Sequence, residues 1–173
     1  MTHVSPGVPA RLRNFTLGAL ALAMLLGASS CSARSPKGSA LPADAKDPRA
    51  ATLLIKPAEL AGILKGTGEK PVLLHVGFKV LYHGGAIPGS IYVGPGQSSE
   101  GIAALKAAVK DLPRDRAVVV YCGCCPWDHC PNMRPAFQTL VDMGFKNARA
   151  LYSPKNLETD WVNQGYPIEQ PAN

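Results

Sequence analysis

Residues 118–132 read "VVVYCGCCPWDHCPN". With Ala117, the first four residues form a continuous apolar run rich in β-branched side chains. Such a run suits a strand covered on both faces inside a parallel sheet rather than a half-exposed one. It ends at Cys122, the first of four cysteines within nine positions. On its C-terminal side, "RPAFQTLVDMGF" (134–145) has helical spacing and meets a C-cap at Gly144. "ARALY" (148–152) follows as a strand and "LETDWVNQG" (157–165) as a short helix. On the N-terminal side, "EGIAALKAAVKDL" (100–112) is an amphipathic helix stopped by Pro113. Before it come a short strand, "IYV", and a turn-rich loop, "GGAIPGS" (84–90). Further back lie a second buried strand, "PVLLHV" (71–76), and a helix opened by Pro57, "PAELAGIL", with Leu60, Ile63 and Leu64 on one face. The short apolar run "ATLLI" (51–55) begins the globular pattern. Strands alternating with helices predict an α/β fold with a central parallel sheet and helices on both faces. Such sheets bind and react at the carboxyl ends of their strands, which is where Cys122 falls.

The N-terminus is expected to lie outside this domain. Arg11 and Arg13 precede the apolar run "FTLGALALAMLLGA" (15–28) and the small residues "SSC", the pattern of a secretory signal. The run is short of the roughly 20 apolar residues that span a bilayer. Residues 1–30 are therefore read as a signal peptide, residues 31–50 ("SARSPKGSALPADAKDPRA" after Cys31) as a flexible tether, and 51–173 as one domain. The formal charge of +6 falls to +4 without the two signal arginines. No Lys/Arg cluster or aromatic platform accompanies that charge, so nucleic acid is not an expected partner. A mild attraction for small anions is the most it suggests.

The order "PAELAGIL…PVLLHV…GAIPGS…VVVYC…AFQTLVDMGF…ARALY…DWVNQGYPIE" resembles a single rhodanese-like domain over roughly residues 51–170. "GAIPGS" and "VVVYC" carry most of that likeness, with "MGF" and "W….GYP" matching the segments that close the fold. The junction "LGASSC" likewise resembles a bacterial lipobox, with Ala28 where Leu is usual. That resemblance implies lipidation of Cys31 and a membrane-tethered protein of the periplasm or cell envelope. Three departures from the rhodanese-like pattern stand out. The first buried strand ends in His75-Val76-Gly77 where Asp-Val-Arg is usual. Ala86 replaces the loop histidine, and the active loop is five residues longer, with Arg134 as its nearest arginine.

The resemblance implies that Cys122 is the nucleophile of a sulfurtransferase, carrying a persulfide (Cys–S–S⁻) between a small sulfur-containing anion and a thiol acceptor. No cofactor is implied. Loop amides and the leading end of the following helix would favour its thiolate. Arg134, folded back over the loop, would hold an anionic donor; the alternative is a solvated residue on the first helical turn. Cys124, Cys125 and Cys130 are candidate resolving or disulfide partners, since exported thiols tend to pair. A Cys122–Cys124 bond or one to Cys130 is favoured over a strained Cys124–Cys125 ring. A disulfide that merely pins the loop is the plain structural reading. A third use is metal: Cys122, Cys124, Cys125 and Cys130 offer thiolates suited to zinc or copper(I), without the paired C-x2-C spacing of zinc sites. Trp127 is either a lid over the loop or its anchor. Asp128 and His129 either orient a thiol or cap the helix, and His75 reads as a packed core histidine. Phosphatase chemistry needs C-x5-R, and the sixth positions after Cys122, Cys124 and Cys125 are Asp128, Cys130 and Pro131. Metabolic labelling with a lipid precursor should mark the wild-type chain and leave Cys31→Ser unlabelled; equal labelling of the two would remove the lipoprotein reading.

Overall fold

The computed structural model describes residues 40–42 and 45–172. The signal sequence and Cys31 lie outside them. One helical turn, α1 (Ala50–Leu53), leads into β1 (Leu54–Ile55), α2 (Pro57–Lys65) and β2 (Val72–His75). Then come α3 (Lys79–Gly84), β3 (Ser90–Tyr92), α4 (Ser99–Val109) and β4 (Val118–Tyr121). The chain closes with α5 (Met133–Asp142), β5 (Ala148–Leu151), α6 (Leu157–Asp160) and a 3-10 turn, Val162–Gln164. All five strands are parallel, in the order β1-β5-β4-β2-β3. The valine run is therefore the middle strand, hydrogen-bonded on both edges, which is why it contains no polar side chain except the Tyr121 hydroxyl.

Alternation along β4 sends its side chains to two separate cores. Val118 and Val120 join Leu105, Val109, Met133, Phe137 and Leu140 beneath α4 and α5. Val119 and Tyr121 join Leu60, Leu73, Leu151 and Trp161 beneath α2 and α6. Helices thus cover both faces, as the alternating pattern predicts. Cys122, one step past the strand, continues the α5 side.

Local signals place the helix ends. Pro57 starts α2, and the Ser98 hydroxyl accepts the Gly101 amide at the head of α4. Gly144 takes φ +85° after α5, while the Phe145 amide returns to the Leu140 carbonyl, the left-handed helix end for which glycine is favoured. The expected terminal helix over 157–165 is instead α6 plus the 3-10 turn, broken at Trp161, whose indole donates to the Pro167 carbonyl. Helix α3 had no counterpart in the sequence reading.

The tether expected over 31–50 needs correction at its C-terminal end. Leu41 is only 1% exposed and belongs to the α4/α5 core. The Ala40 amide donates to Gln138 Oε1, and Arg134 Nη1 donates to the Leu41 carbonyl. Packing therefore extends to residues before 51. One leucine within a Ser/Pro/Ala-rich stretch has no periodic partner, so nothing local marks it as core. Leu41→Ala should lower unfolding free energy by about 2 kcal/mol or more in denaturant titration, as for other buried leucines. A tether residue would leave the midpoint unchanged.

Candidate active site at the end of the central strand

Beyond Tyr121 the chain must leave the sheet without burying unpaired backbone. Gly123, at φ +89°, makes that turn, and its carbonyl accepts the Leu157 amide. A Cβ there would press on Leu157 as well as strain the backbone. The rest of the loop is held at three points. The Trp127 amide donates to the Ser153 carbonyl, the Trp127 ring packs in the core near Tyr152, and Arg134 Nη2 donates to the Asp128 carbonyl.

This folding gathers the sulfurs. Cys122 Sγ lies 3.2 Å from Cys124 Sγ, which is 3.0 Å from Cys125 Sγ and 4.0 Å from Cys130 Sγ. Cys122 and Cys130 are buried, whereas Cys124 is exposed; all four are free thiols. The Cys122 thiol is lowered to about 6, first by the hydrogen bond from Cys130 and then by Asn132 and the Cys124 amide and thiol, against the opposing effect of burial. Its neighbours move the other way. Burial and the adjacent sulfurs push Cys124 up to about 12, and donation to Cys122 raises Cys130 far above the ordinary thiol range. Negative charge is thus favoured on Cys122 over Cys124 and Cys130, with Cys124 Sγ and the Asn132 amide as its hydrogen-bond partners.

The expected cradle of backbone amides is therefore built mostly from side chains. Asn132 Nδ2 donates to Cys122 Sγ at 3.5 Å. Its orientation is fixed because Asn132 Oδ1 accepts the Gln97 amide at 3.3 Å, leaving the NH₂ end for the sulfur. Asn132 is fully buried and was missed in the sequence, where an asparagine before a helix reads as a cap; in fact its side chain makes no cap bond. Gly77 was missed too. A Cβ there would sit 2.8 Å from the Cys122 carbonyl, 2.9 Å from His75 Cε1 and 3.0 Å from Cys122 Sγ. Only glycine lets the end of β2 approach the sulfur.

His75 is buried as expected of a core histidine, but it is not satisfied. Its Nδ1 accepts the Gly77 amide at 3.3 Å, while Nε2 has no partner among the described residues. Burial lowers it to about 4, with the Cys122 carbonyl weakly opposing, so the ring is neutral. It packs against Tyr82, Tyr92 and Tyr121. Tyr121 in turn accepts the Ile87 amide and pairs with Ser90 Oγ, tying "GAIPGS" to the central strand.

Cys122 and His75 both line a cavity of about 190 Å³. Cys122, only 3% exposed and packed in the α4/α5 core, thus borders open space on this side. On the other side, by Trp127 and Ser153, is a hollow of about 10 Å³, room for one water at most.

Three further candidates do not line the cavity. Arg134 does not face it, as an anion-holding residue would; its guanidinium donates to the Leu41 and Asp128 carbonyls, bracing loop and N-terminal segment. Of the two readings of Trp127, 3% exposed, the structure gives the anchor rather than the lid. The His129 side chain is 82% exposed and bonds Asp128 Oδ1 at 2.8 Å, away from the sulfurs. As for metal, Cys122, Cys124 and Cys130 place three sulfurs within 4.8 Å of one another, without Cys125. That donor set suits a soft ion such as copper(I), and falls one ligand short of a closed zinc site.

No family model and no curated protein matches the chain; solved structures do. The BH2092 protein of Bacillus halodurans aligns with a TM-score of 0.53 at 20% identity, covering 69% of this chain and 77% of that one. The rhodanese-like domain of the Anabaena Alr3790 protein aligns at 0.51 and 22% identity, covering 68% and 79%. The thiosulfate sulfurtransferase of Pseudomonas aeruginosa aligns at 0.50 and 24% identity, covering 71% of this chain but 21% of that longer protein. The fold is rhodanese-like, and it carries a cysteine cluster at the end of its central strand. Alkylation by iodoacetamide, mapped by peptide mass, should rise at Cys122 as pH increases through about 6 and leave Cys124 and Cys130 unreacted there. Asn132→Ala should move that midpoint up by about one unit, the size of a weak hydrogen bond to a charged group. A midpoint near the free value of about 8.5 would contradict the anion-stabilising geometry.

Proposed function

We propose that the protein transfers sulfane sulfur through a persulfide on Cys122. The observation that carries this is the place of Cys122 at the carboxyl end of the middle strand, beside Cys124 Sγ and the Asn132 amide and on the wall of a cavity. The Cys122 thiolate attacks a sulfane sulfur of the donor, a Cys122 Sγ–S bond forms, and the donor's S–S bond breaks with its electron pair leaving on the remaining fragment. An acceptor thiolate then takes the outer sulfur and regenerates Cys122. The sequence supports placing this activity in the periplasm or cell envelope, on a membrane anchor at Cys31.

A second reading is favoured by the 3.2 Å approach of Cys124. Attack of the Cys124 thiol on Sγ of the Cys122 persulfide gives a Cys122–Cys124 disulfide and releases hydrogen sulfide, with no outside oxidant. The loop then works as a thiol–disulfide device, and exposed Cys124 is the sulfur a reducing partner would meet first. Binding of a soft metal ion by the three clustered sulfurs is the non-enzymatic alternative.

Intact mass spectrometry after inorganic polysulfide separates the three. A gain of about 32 Da that disappears in Cys122→Ser supports the persulfide. A loss of about 2 Da that disappears in Cys124→Ser, with the gain restored there, supports the resolving step. Metal that survives purification and leaves on thiol alkylation, with no sulfur adduct on Cys122, overturns the proposal.

A further inference from the structure

The wall of the cavity over Cys122 is unusual in its chemistry. Val80, Leu81, Val162 and Ile168 line it, together with Leu157 and Glu158. Val80 is 76% exposed, and with Leu81 and Ile168 it accounts for half of the six large exposed hydrophobic side chains among the described residues. Solvated apolar side chains gathered round one opening mark a place where something apolar docks, whereas scattered ones need no explanation. None of the residues lining this cavity is Lys or Arg, and the one charged side chain, Glu158, is an acid. Arg134, the residue that would have held an anion, is occupied by two backbone carbonyls elsewhere.

The floor adds a polar requirement. Because His75 Nδ1 accepts the Gly77 amide, the ring proton belongs on Nε2, a buried atom that makes no hydrogen bond among the described residues, with the Cys122 carbonyl interacting only weakly with the ring. His75 lines the cavity, so a group seated there meets a neutral ring with an unused donor rather than a charge. The volume of about 190 Å³ corresponds to about six waters at their liquid share, enough for a carrier group of several carbon atoms.

We propose that Cys122 draws its sulfur from an organic persulfide whose carrier group is uncharged and apolar, seated against Val80, Leu81, Val162 and Ile168, rather than from a small inorganic dianion such as thiosulfate. This rests on Cys122 acting as a persulfide carrier. In the step, the Cys122 thiolate attacks the terminal sulfur of R–S–SH and forms Sγ–S. The donor's S–S bond breaks, and R–S⁻ departs with the bonding pair. The proton remains on the transferred sulfur, so no oxidant or reductant is needed. A dianion entering the same space would lose water to an apolar wall beside a carboxylate, with no cation to replace it.

Benzyl persulfide, generated in situ, and thiosulfate are the probes. Loading of Cys122 is followed by the gain of about 32 Da in the full chain, each rate divided by that donor's rate with free cysteine. The normalised rate should be at least about tenfold higher for benzyl persulfide, a difference of about 1.4 kcal/mol. Val80→Glu, on a side chain already in solvent, should cut the normalised benzyl persulfide rate several-fold; Val141→Glu, exposed on α5 away from the cavity, should leave it unchanged. Equal or faster normalised loading by thiosulfate, or an undiminished benzyl persulfide rate in Val80→Glu, overturns the inference. Failure of the underlying activity looks different: Cys122 would then gain no sulfur from benzyl persulfide, thiosulfate or inorganic polysulfide alike.

Discussion

A negative sulfur that is almost wholly removed from water survives only where hydrogen-bond donors stand in for the lost solvent. Cys122 meets that condition through Cys130, Asn132 and the amide and thiol of Cys124, whose combined effect exceeds the cost of burial. Most of what surrounds the site serves to hold those donors. Gly123 turns the chain so that the Cys124 thiol comes back to within 3.2 Å of the sulfur, Trp127 and Ser153 pin the loop, and Gln97 sets the Asn132 amide the right way round. The long loop is therefore a scaffold for hydrogen-bond donors rather than an ornament on a shorter one.

That arrangement explains why the end of β2 departs from the pattern of the proteins it resembles. A side chain at position 77 would collide with the Cys122 carbonyl and sulfur, and His75 beside it fills the space among three tyrosines. His75 and Gly77 leave the cavity floor without charge. The walls are likewise mostly aliphatic, and Arg134 braces the loop instead. The sulfur thus sits where the fold puts it, in surroundings that are largely apolar.

Among the four cysteines, proximity divides the labour. Cys130 is buried with its sulfur within 4.8 Å of that of Cys122, where its thiol favours charge on Cys122. Cys124 lies between Cys122 and Cys125 and is open to solvent, which makes it the path by which electrons or sulfur would pass outward. A disulfide from Cys124 to Cys122 would also remove the anion, so oxidation and sulfur transfer at this site exclude one another.

The order of strands and helices was legible because each element repeats its signal over several residues. The valines of β4, the faces of α2, α4 and α5, and the glycine after α5 all speak through local sterics and burial. So was the placement of Cys122, since a strand's carboxyl end is a position along the chain as well as in space. Helix α3 was not legible: it is six residues long, lies between glycines and exposes its apolar side chains, so no buried face shows as a periodicity. Leu41, Asn132, Gly77 and the true work of Arg134 were also hidden. Each acts on a residue far along the chain, Arg134 on Leu41 and Asn132 on Gln97, and composition carries no record of such pairs. Local pattern was enough to read the layered α/β fold and the rim on which the thiols sit. Which groups gather round Cys122 and which side chains line the cavity came only from the folded chain, because those depend on directions and distances between segments that local preferences do not encode.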